Sequence, residues 1–247
     1  MQTAFQCKQF RVQHHDCAMK VGTDSLLLGA WCPVPTRGLC LDIGTGCGLL
    51  ALMVAQRTAG SNVRIDAVEL DAMAALQAHS NVAASPWPTR VRVLERDILT
   101  YLGSADHASA AKAGGYQLII SNPPYFEQSL PSRDAKRQQA RHTDSLPFEQ
   151  LLHVAAQLAA PAAQLALVLP TPAAQRIRQL AGTYGWSLQQ WQPVQMTPSK
   201  PASRVLLLLS RDASGQATEL PALCVRGDDA EYTADYRRLL KDFYLRF

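Results

Sequence analysis

No run of eighteen or more apolar residues occurs in this 247-residue chain, so no membrane-crossing helix is expected from it. The first ten residues do not show the charged-then-apolar order of a secretory signal, and the expected location is the cytoplasm. The six cysteines, at positions 7, 17, 32, 40, 47 and 224, include no C-x-x-C pair and have no histidine at ligand spacing. That argues against a disulfide framework and against a zinc site, and leaves scattered reduced thiols and no metal. Charge is nearly balanced: 24 Lys and Arg against 20 Asp and Glu give +4, too little for the total alone to name a polyanionic partner. With 47% hydrophobic and 18% charged residues, the composition is that of one large soluble domain.

Short apolar, β-rich runs alternate with alanine- and leucine-rich helical stretches, which predicts a doubly wound α/β fold on a mainly parallel sheet of seven strands. The strands fall at Leu39–Ile43, Arg64–Glu69, Val91–Leu94, Gln117–Ser121, Gln164–Leu169, Ser187–Gln192 and Val205–Ser210. Helices are expected at Leu49–Arg57, Asp71–Ala84, Phe148–Ala159 and Pro172–Tyr184. Residues 104–115 read as a surface loop. Ahead of the first strand, an apolar helix at Ser25–Trp31 is expected to be capped by Thr23 or Asp24. No linker separates a second domain: one domain spans 1–247, with a leading segment at 1–36 and a core at 37–247.

The first strand runs into Leu41-Asp42-Ile43-Gly44-Thr45-Gly46-Cys47-Gly48 and then a helix, the place where α/β sheets bind nucleotide-like ligands. Counted from Gly44, Leu49 stands where a dinucleotide fingerprint has its third glycine, which argues against NAD, and no Gly-Lys-Ser/Thr of a phosphate loop follows. Glu69 ends the second strand, where a carboxylate accepts hydrogen bonds from ribose hydroxyls, and Asp71 suits the cap of the next helix. Asp97, ending the third strand, is placed to take an adenine amino group. An adenosine ligand without a pyrophosphate fits the set, and the common one is S-adenosyl-L-methionine. The stretch resembles the cofactor-binding half of Rossmann-like methyltransferases, whose D-x-G-x-G-x-G and second-strand acid match Asp42, Gly44, Gly46, Gly48 and Glu69.

After the fourth strand comes Ser121-Asn122-Pro123-Pro124-Tyr125-Phe126. Each proline fixes its own φ, restricts the residue before it, and offers no N–H. The backbone carbonyls and the Asn122 amide oxygen are left as acceptors, which suits an amino group with two hydrogens to give. Tyr125, with Phe126, then covers the ring that carries the amine. The tetrad resembles the N-P-P-Y of amino-group methyltransferases. In that resemblance Asn122 and the Pro123 carbonyl orient the target nitrogen, Pro124 stiffens the loop, and Tyr125 clamps the ring.

Arg133, Arg137 and Arg141 follow at i, i+4 and i+8, one stripe if helical, and beside a base-clamping loop such a stripe suits RNA phosphates. A second basic, aromatic segment from Tyr236 to Phe247 is read equally well as nucleic-acid contact or as a packed terminal helix with exposed arginines. His14, His15 and His142 suit surface or hydrogen-bonded roles.

Over its whole length the chain resembles the bacterial methyltransferases that modify N6 of the adenine at position 37 of valine tRNA. The resemblance rests on Cys17-Ala18-Met19-Lys20-Val21-Gly22-Thr23-Asp24, Leu28-Gly29-Ala30-Trp31, Leu41-Asp42-Ile43-Gly44, Ala67-Val68-Glu69-Leu70, Ile119-Ile120-Ser121-Asn122-Pro123-Pro124-Tyr125, Gln139-Ala140-Arg141 and Phe243-Tyr244-Leu245. It implies a monomer that binds tRNA, and it places Lys20, Gly22 and Thr23 against the cofactor. Two other readings share some of these motifs. A glutamine-directed protein methyltransferase uses the same tetrad but has no need of an arginine stripe. An RNA-binding protein with a lapsed pocket is not expected to keep the glycine turn, Glu69 and the tetrad together.

Overall fold

The computed structural model describes residues 4–17, 20–124 and 146–246. A short antiparallel hairpin, β1 (Ala4–Gln6) and β2 (Arg11–Gln13), leads into helix α1 (Thr23–Trp31). The central sheet then begins with β3 (Leu39–Ile43), β4 (Arg64–Glu69), β5 (Val91–Glu95) and β6 (Tyr116–Ser121). It is completed by β7 (Ala159–Pro170), β8 (Ser187–Gln195) and β9 (Arg204–Ser210). Between strands lie α2 (Leu49–Arg57), α3 (Ala72–Ala83), α4 (Ile98–Tyr101), α5 (Ala105–Lys112), α6 (Phe148–Leu158) and α7 (Thr171–Leu180), and α8 (Ala234–Leu240) closes the chain.

The seven long strands are ordered β8-β9-β7-β6-β3-β4-β5. All pairings from β7 to β5 are parallel; β9 runs antiparallel to both β7 and β8. Two two-residue strands, β10 (Thr218–Glu219) and β11 (Leu223–Cys224), extend β8, so the expected seven strands become nine. The chain leaves β3 toward β4 and β5, then returns to β3's other side as β6. That reversal opens a crevice at the carboxyl ends of β3 and β6.

Both faces of the sheet are covered, so side chains alternate between two cores. Cys40, Ile65, Leu118 and Leu206 face the layer of α1, α2, α3 and α8, whereas Leu41, Val68, Ile119 and Leu207 face the layer containing Tyr101, Leu151 and Ile177. Helix α2 has almost no polar face: every residue from Leu49 to Gln56 is buried, because α1 packs over it while its other side lies on the sheet.

Two expectations change, and one left open is decided. Residues 104–115 are not a loop: Ser104 accepts from the His107 amide at 3.1 Å and caps α5, and Gly114 and Gly115 with positive φ end it. Helix α1 starts two residues early, at Thr23, with Gly22 as N-cap and no side-chain cap bond; Asp24 is occupied instead by an ion pair to Arg204 at 2.9 Å. The C-terminal segment packs: Tyr236, Leu240 and Phe243 are buried beside α1, while Arg237 pairs with Glu231 and Arg238 with Asp235.

Among the described residues, no helix is long and apolar enough to cross a membrane and no cluster of His, Cys, Asp and Glu could hold a metal ion.

Candidate functional site

At the carboxyl end of β3 the chain makes a turn that only glycine tolerates. Gly44, Gly46 and Gly48 all have left-handed φ, at 70°, 56° and 84°. Gly48 is the N-cap of α2, and a Cβ there would sit 3.5 Å from the Ala78 methyl, an ordinary contact, so it is the left-handed φ that calls for glycine. Around Gly44 and Gly46 the reverse holds: a Cβ built on either meets nothing within 4 Å, which leaves bare backbone facing open space.

The turn is held from three sides. Asp42, fully buried in β3, accepts through Oδ2 from the Thr45 hydroxyl at 2.6 Å and the Ala51 amide at 3.1 Å, which ties the strand to the first turn of α2. Burial pushes its carboxyl up to about 7 against the pull of those two donors, and Oδ1 is buried with no partner among the described residues. Gly44 and Thr45 donate their amides to the Val68 carbonyl of β4. Glu69, ending β4, accepts the Gly46 amide through Oε2 at 2.7 Å and the Asp71 amide through Oε1 at 3.0 Å. Asp71 caps α3 by accepting from the Ala74 amide at 2.7 Å, the role expected of it. Asp97 is half-buried and caps α4, accepting through Oδ1 from the Leu99 amide at 2.9 Å.

The leading segment closes over this edge. Asn81 of α3 joins them: its Nδ2 donates to the carbonyls of Gln13 and Cys47, and its Oδ1 accepts from the Gln13 amide. His14, nearly buried, accepts the Val21 amide at its Nδ1 at 2.9 Å, just before Gly22 and Thr23. Two cysteines far apart in sequence also meet. The Cys47 thiol donates to Cys17, which holds Cys17 below the usual thiol range, while that bond and burial push Cys47 above it. Lys20 and Gly22 are exposed and Thr23 half-buried on the same segment.

On the other side of the crevice, β6 ends at Ser121, whose hydroxyl donates to the Ile43 carbonyl at 2.7 Å and locks the end of β6 to that of β3. Asn122 follows directly. Its Nδ2 donates to the Ser25 hydroxyl at 2.9 Å, and its Oδ1 is buried without a hydrogen-bond partner among the described residues. Pro123 is buried and Pro124 half-buried. Tyr125, Phe126, Arg133, Arg137 and Arg141 lie outside the described residues.

Asp42, the three glycines, Glu69 and Asn122 thus gather at the ends of three adjacent strands. Bare glycine backbone beside a carboxylate whose two oxygens each keep a lone pair fits a ribose-bearing ligand. Leu70, exposed just beyond Glu69, and Leu99, exposed beyond Asp97, add apolar surface for a flat ring at the same edge. Sequence reading missed Ser25, Asn81, Arg204, Leu70 and Leu99. The two leucines were open to detection, as apolar residues directly after the two edge acids; the others depend on contacts distant in sequence.

Comparison with known proteins agrees with this geometry. The methyltransferase small domain family matches residues 17–169. A tRNA1(Val) (adenine(37)-N6)-methyltransferase of Serratia proteamaculans is 47% identical over 241 residues, covering 98% of this chain and 89% of that protein. One from Tolumonas auensis is 47% identical over 243 residues, covering 98% and 97%. Among solved structures, a predicted O-methyltransferase from Agrobacterium tumefaciens superposes with a TM-score of 0.65 at 20% identity, covering 89% of this chain and 96% of that one. A methyltransferase from Pyrococcus furiosus gives 0.52 at 20%, covering 82% and 89%. At such identities the structural likeness speaks for the fold.

Proposed function

The chain belongs to the methyltransferase small domain family and, within it, to the tRNA1(Val) (adenine(37)-N6)-methyltransferases, and from that premise we propose how its residues methylate N6 of adenine 37 in this tRNA. S-adenosyl-L-methionine is the cofactor, and when bound it supplies a methyl group carried on a sulfonium sulfur. Gly44 and Gly46 offer it unobstructed backbone, Gly48 completes the turn into α2, and Glu69 accepts from its ribose hydroxyls. Asp42 supports the turn from beneath, Asp97 stands at the edge for the adenine amino group, and Lys20, Gly22 and Thr23 close the methionine end.

The observation that carries the base-binding half is the buried Oδ1 of Asn122 beside the glycine turn, without a hydrogen-bond partner among the described residues. A buried acceptor left unpaired costs about 1–3 kcal/mol, and an amine hydrogen removes that cost. The Pro123 carbonyl supplies the second acceptor. An exocyclic amine conjugated to a purine is a poor nucleophile. Two acceptors on its hydrogens draw its lone pair out of conjugation and stabilise the positive charge that grows on nitrogen as the bond to carbon forms and the methyl–sulfur bond breaks to leave a neutral thioether. The methylated nitrogen then gives up one of its two protons to water. No general base of shifted pKa is required. Tyr125 covers the ring, a stacking worth roughly 1–3 kcal/mol per base. Phe126 extends that cover, and Arg133, Arg137 and Arg141 hold tRNA phosphates. The protein works as a cytoplasmic monomer and as one catalytic unit, with residues 1–36 contributing to the cofactor site.

The test is transfer of labelled methyl to total tRNA, ribosomal RNA, DNA and a peptide-release factor side by side, followed by nucleoside analysis. Label in N6-methyladenosine of tRNA is expected; label chiefly in a glutamine amide of the release factor would replace this reading with the protein-directed one.

A further inference from the structure

The two prolines after Asn122 restrain its backbone, but they do not set the torsion that turns its amide. An amide free to turn presents oxygen to the incoming amine part of the time and hydrogen the rest. The structure supplies a restraint from another part of the chain. Asn122 Nδ2 donates to the Ser25 hydroxyl at 2.9 Å across 97 residues of sequence, and Oδ1 is left as the buried end without a partner among the described residues.

Ser25 lies in the first turn of α1, and that turn is itself anchored. Its neighbour Asp24 accepts from Arg204 Nε at 2.9 Å, with both side chains about three-quarters shielded from solvent. Arg204 opens β9 and sits in register with Pro170 at the end of β7, on the same sheet edge as Asn122. The turn also follows directly from Gly22, so the segment assigned to the cofactor carries the restraint on the base-binding amide.

We infer that Ser25 is a positioning residue for methyl transfer: its hydroxyl fixes the plane of the Asn122 amide so that Oδ1 meets the target amine, and the Asp24–Arg204 ion pair holds Ser25 in place. A hydroxyl can pair with either end of an amide, so Ser25 sets where the amide lies; the amine, which brings only donors, makes the oxygen-forward orientation the productive one. The inference rests on the role given to Asn122 above, and the experiment separates the two.

The test uses the full chain with tRNA substrate, measuring kcat, both KM values and cofactor affinity by calorimetry. Ser25→Ala is expected to lower kcat about tenfold, as misplacement of a positioned group does, while cofactor Kd and tRNA KM stay within about twofold. Ser25→Thr, which keeps a hydroxyl, recovers most of the rate. Asp24→Asn lowers kcat in the same direction, and Arg204→Lys, which retains the charge, lowers it less than Arg204→Gln. The decisive readout is a double-mutant cycle followed under single-turnover conditions. On an Asn122→Ala background, Ser25→Ala should change the rate less than twofold, because there is no amide left to hold. An unchanged kcat in Ser25→Ala, or an equal loss with and without Asn122, overturns the positioning role. Full turnover by Asn122→Ala alone overturns instead the reading of Asn122 on which it rests.

Discussion

Glu69 Oε2 accepts the amide of Gly46 at 2.7 Å, so the acid at the end of β4 holds the glycine turn in shape. The same carboxylate takes the Asp71 amide at 3.0 Å through its other oxygen. Glu69→Gln keeps one acceptor and loses the charge. Hydrogen bonds to charged groups are worth about 1.5–3 kcal/mol, so the cofactor Kd should rise roughly tenfold to a hundredfold. Calorimetry with cofactor alone, and tRNA binding measured separately, checks it: an unchanged cofactor Kd would remove Glu69 from the site.

Gly48→Ala tests the turn itself. Its φ of 84° is unfavourable for any residue with a Cβ, by about 1–2 kcal/mol, and the new methyl would touch Ala78. The variant should unfold at lower urea concentration with an unchanged slope, and α2 should begin in a displaced position. Stability equal to the parent's contradicts the strain argument.

Asp42 makes stability depend on pH with a definite sign. Its folded carboxyl sits near 7 because of burial, against about 3.9 for an unfolded aspartate. Between those values the folded state holds a proton that the unfolded state has released. This group therefore takes away stability as pH rises from about 4 to about 7, by at most about 1.4 kcal/mol per unit, and nothing further above. Asp42→Asn abolishes that dependence. The difference in guanidinium midpoint between variant and parent should move in the variant's favour from pH 5 to pH 7 and then level; a difference independent of pH would show the carboxyl ionised throughout.

Arg137 and Arg141 carry the tRNA prediction. Changing both to Gln should raise the tRNA KM and reduce the slope of log K against log salt by about two, with cofactor affinity unaltered. An unchanged slope would place the phosphate contacts elsewhere.

Much of this protein could be read from its sequence because much of its architecture is local. Strands β3, β4, β6 and β9 are mainly apolar runs buried on both faces, whereas β5 and β8 keep partly exposed polar positions. Runs such as Leu39–Ile43 and Arg64–Glu69 therefore end where their hydrophobic character ends, and the observed bounds match. The glycine turn is legible for a related reason: three positive φ angles in five residues admit little but glycine. Helix α5 escaped notice because its alanines and serines form only a weak apolar face, although Ser104 before it and Gly114-Gly115 after it are ordinary start and stop signals. The three-residue strands β1 and β2 are too short for any periodicity to show.

Tertiary structure alone decided which distant groups share the site. The sequence determines that β3 ends in a glycine turn, that Glu69 ends the next strand and that Asn122 is followed by prolines, since each follows from neighbouring residues. That β6 returns beside β3 is set by the packing of two helical layers. Cys17 against Cys47, Asp24 against Arg204 and Ser25 against Asn122 come together only once that packing exists. Contacts between residues far apart leave no mark on local composition, because the chain closes those loops only when the whole core is buried.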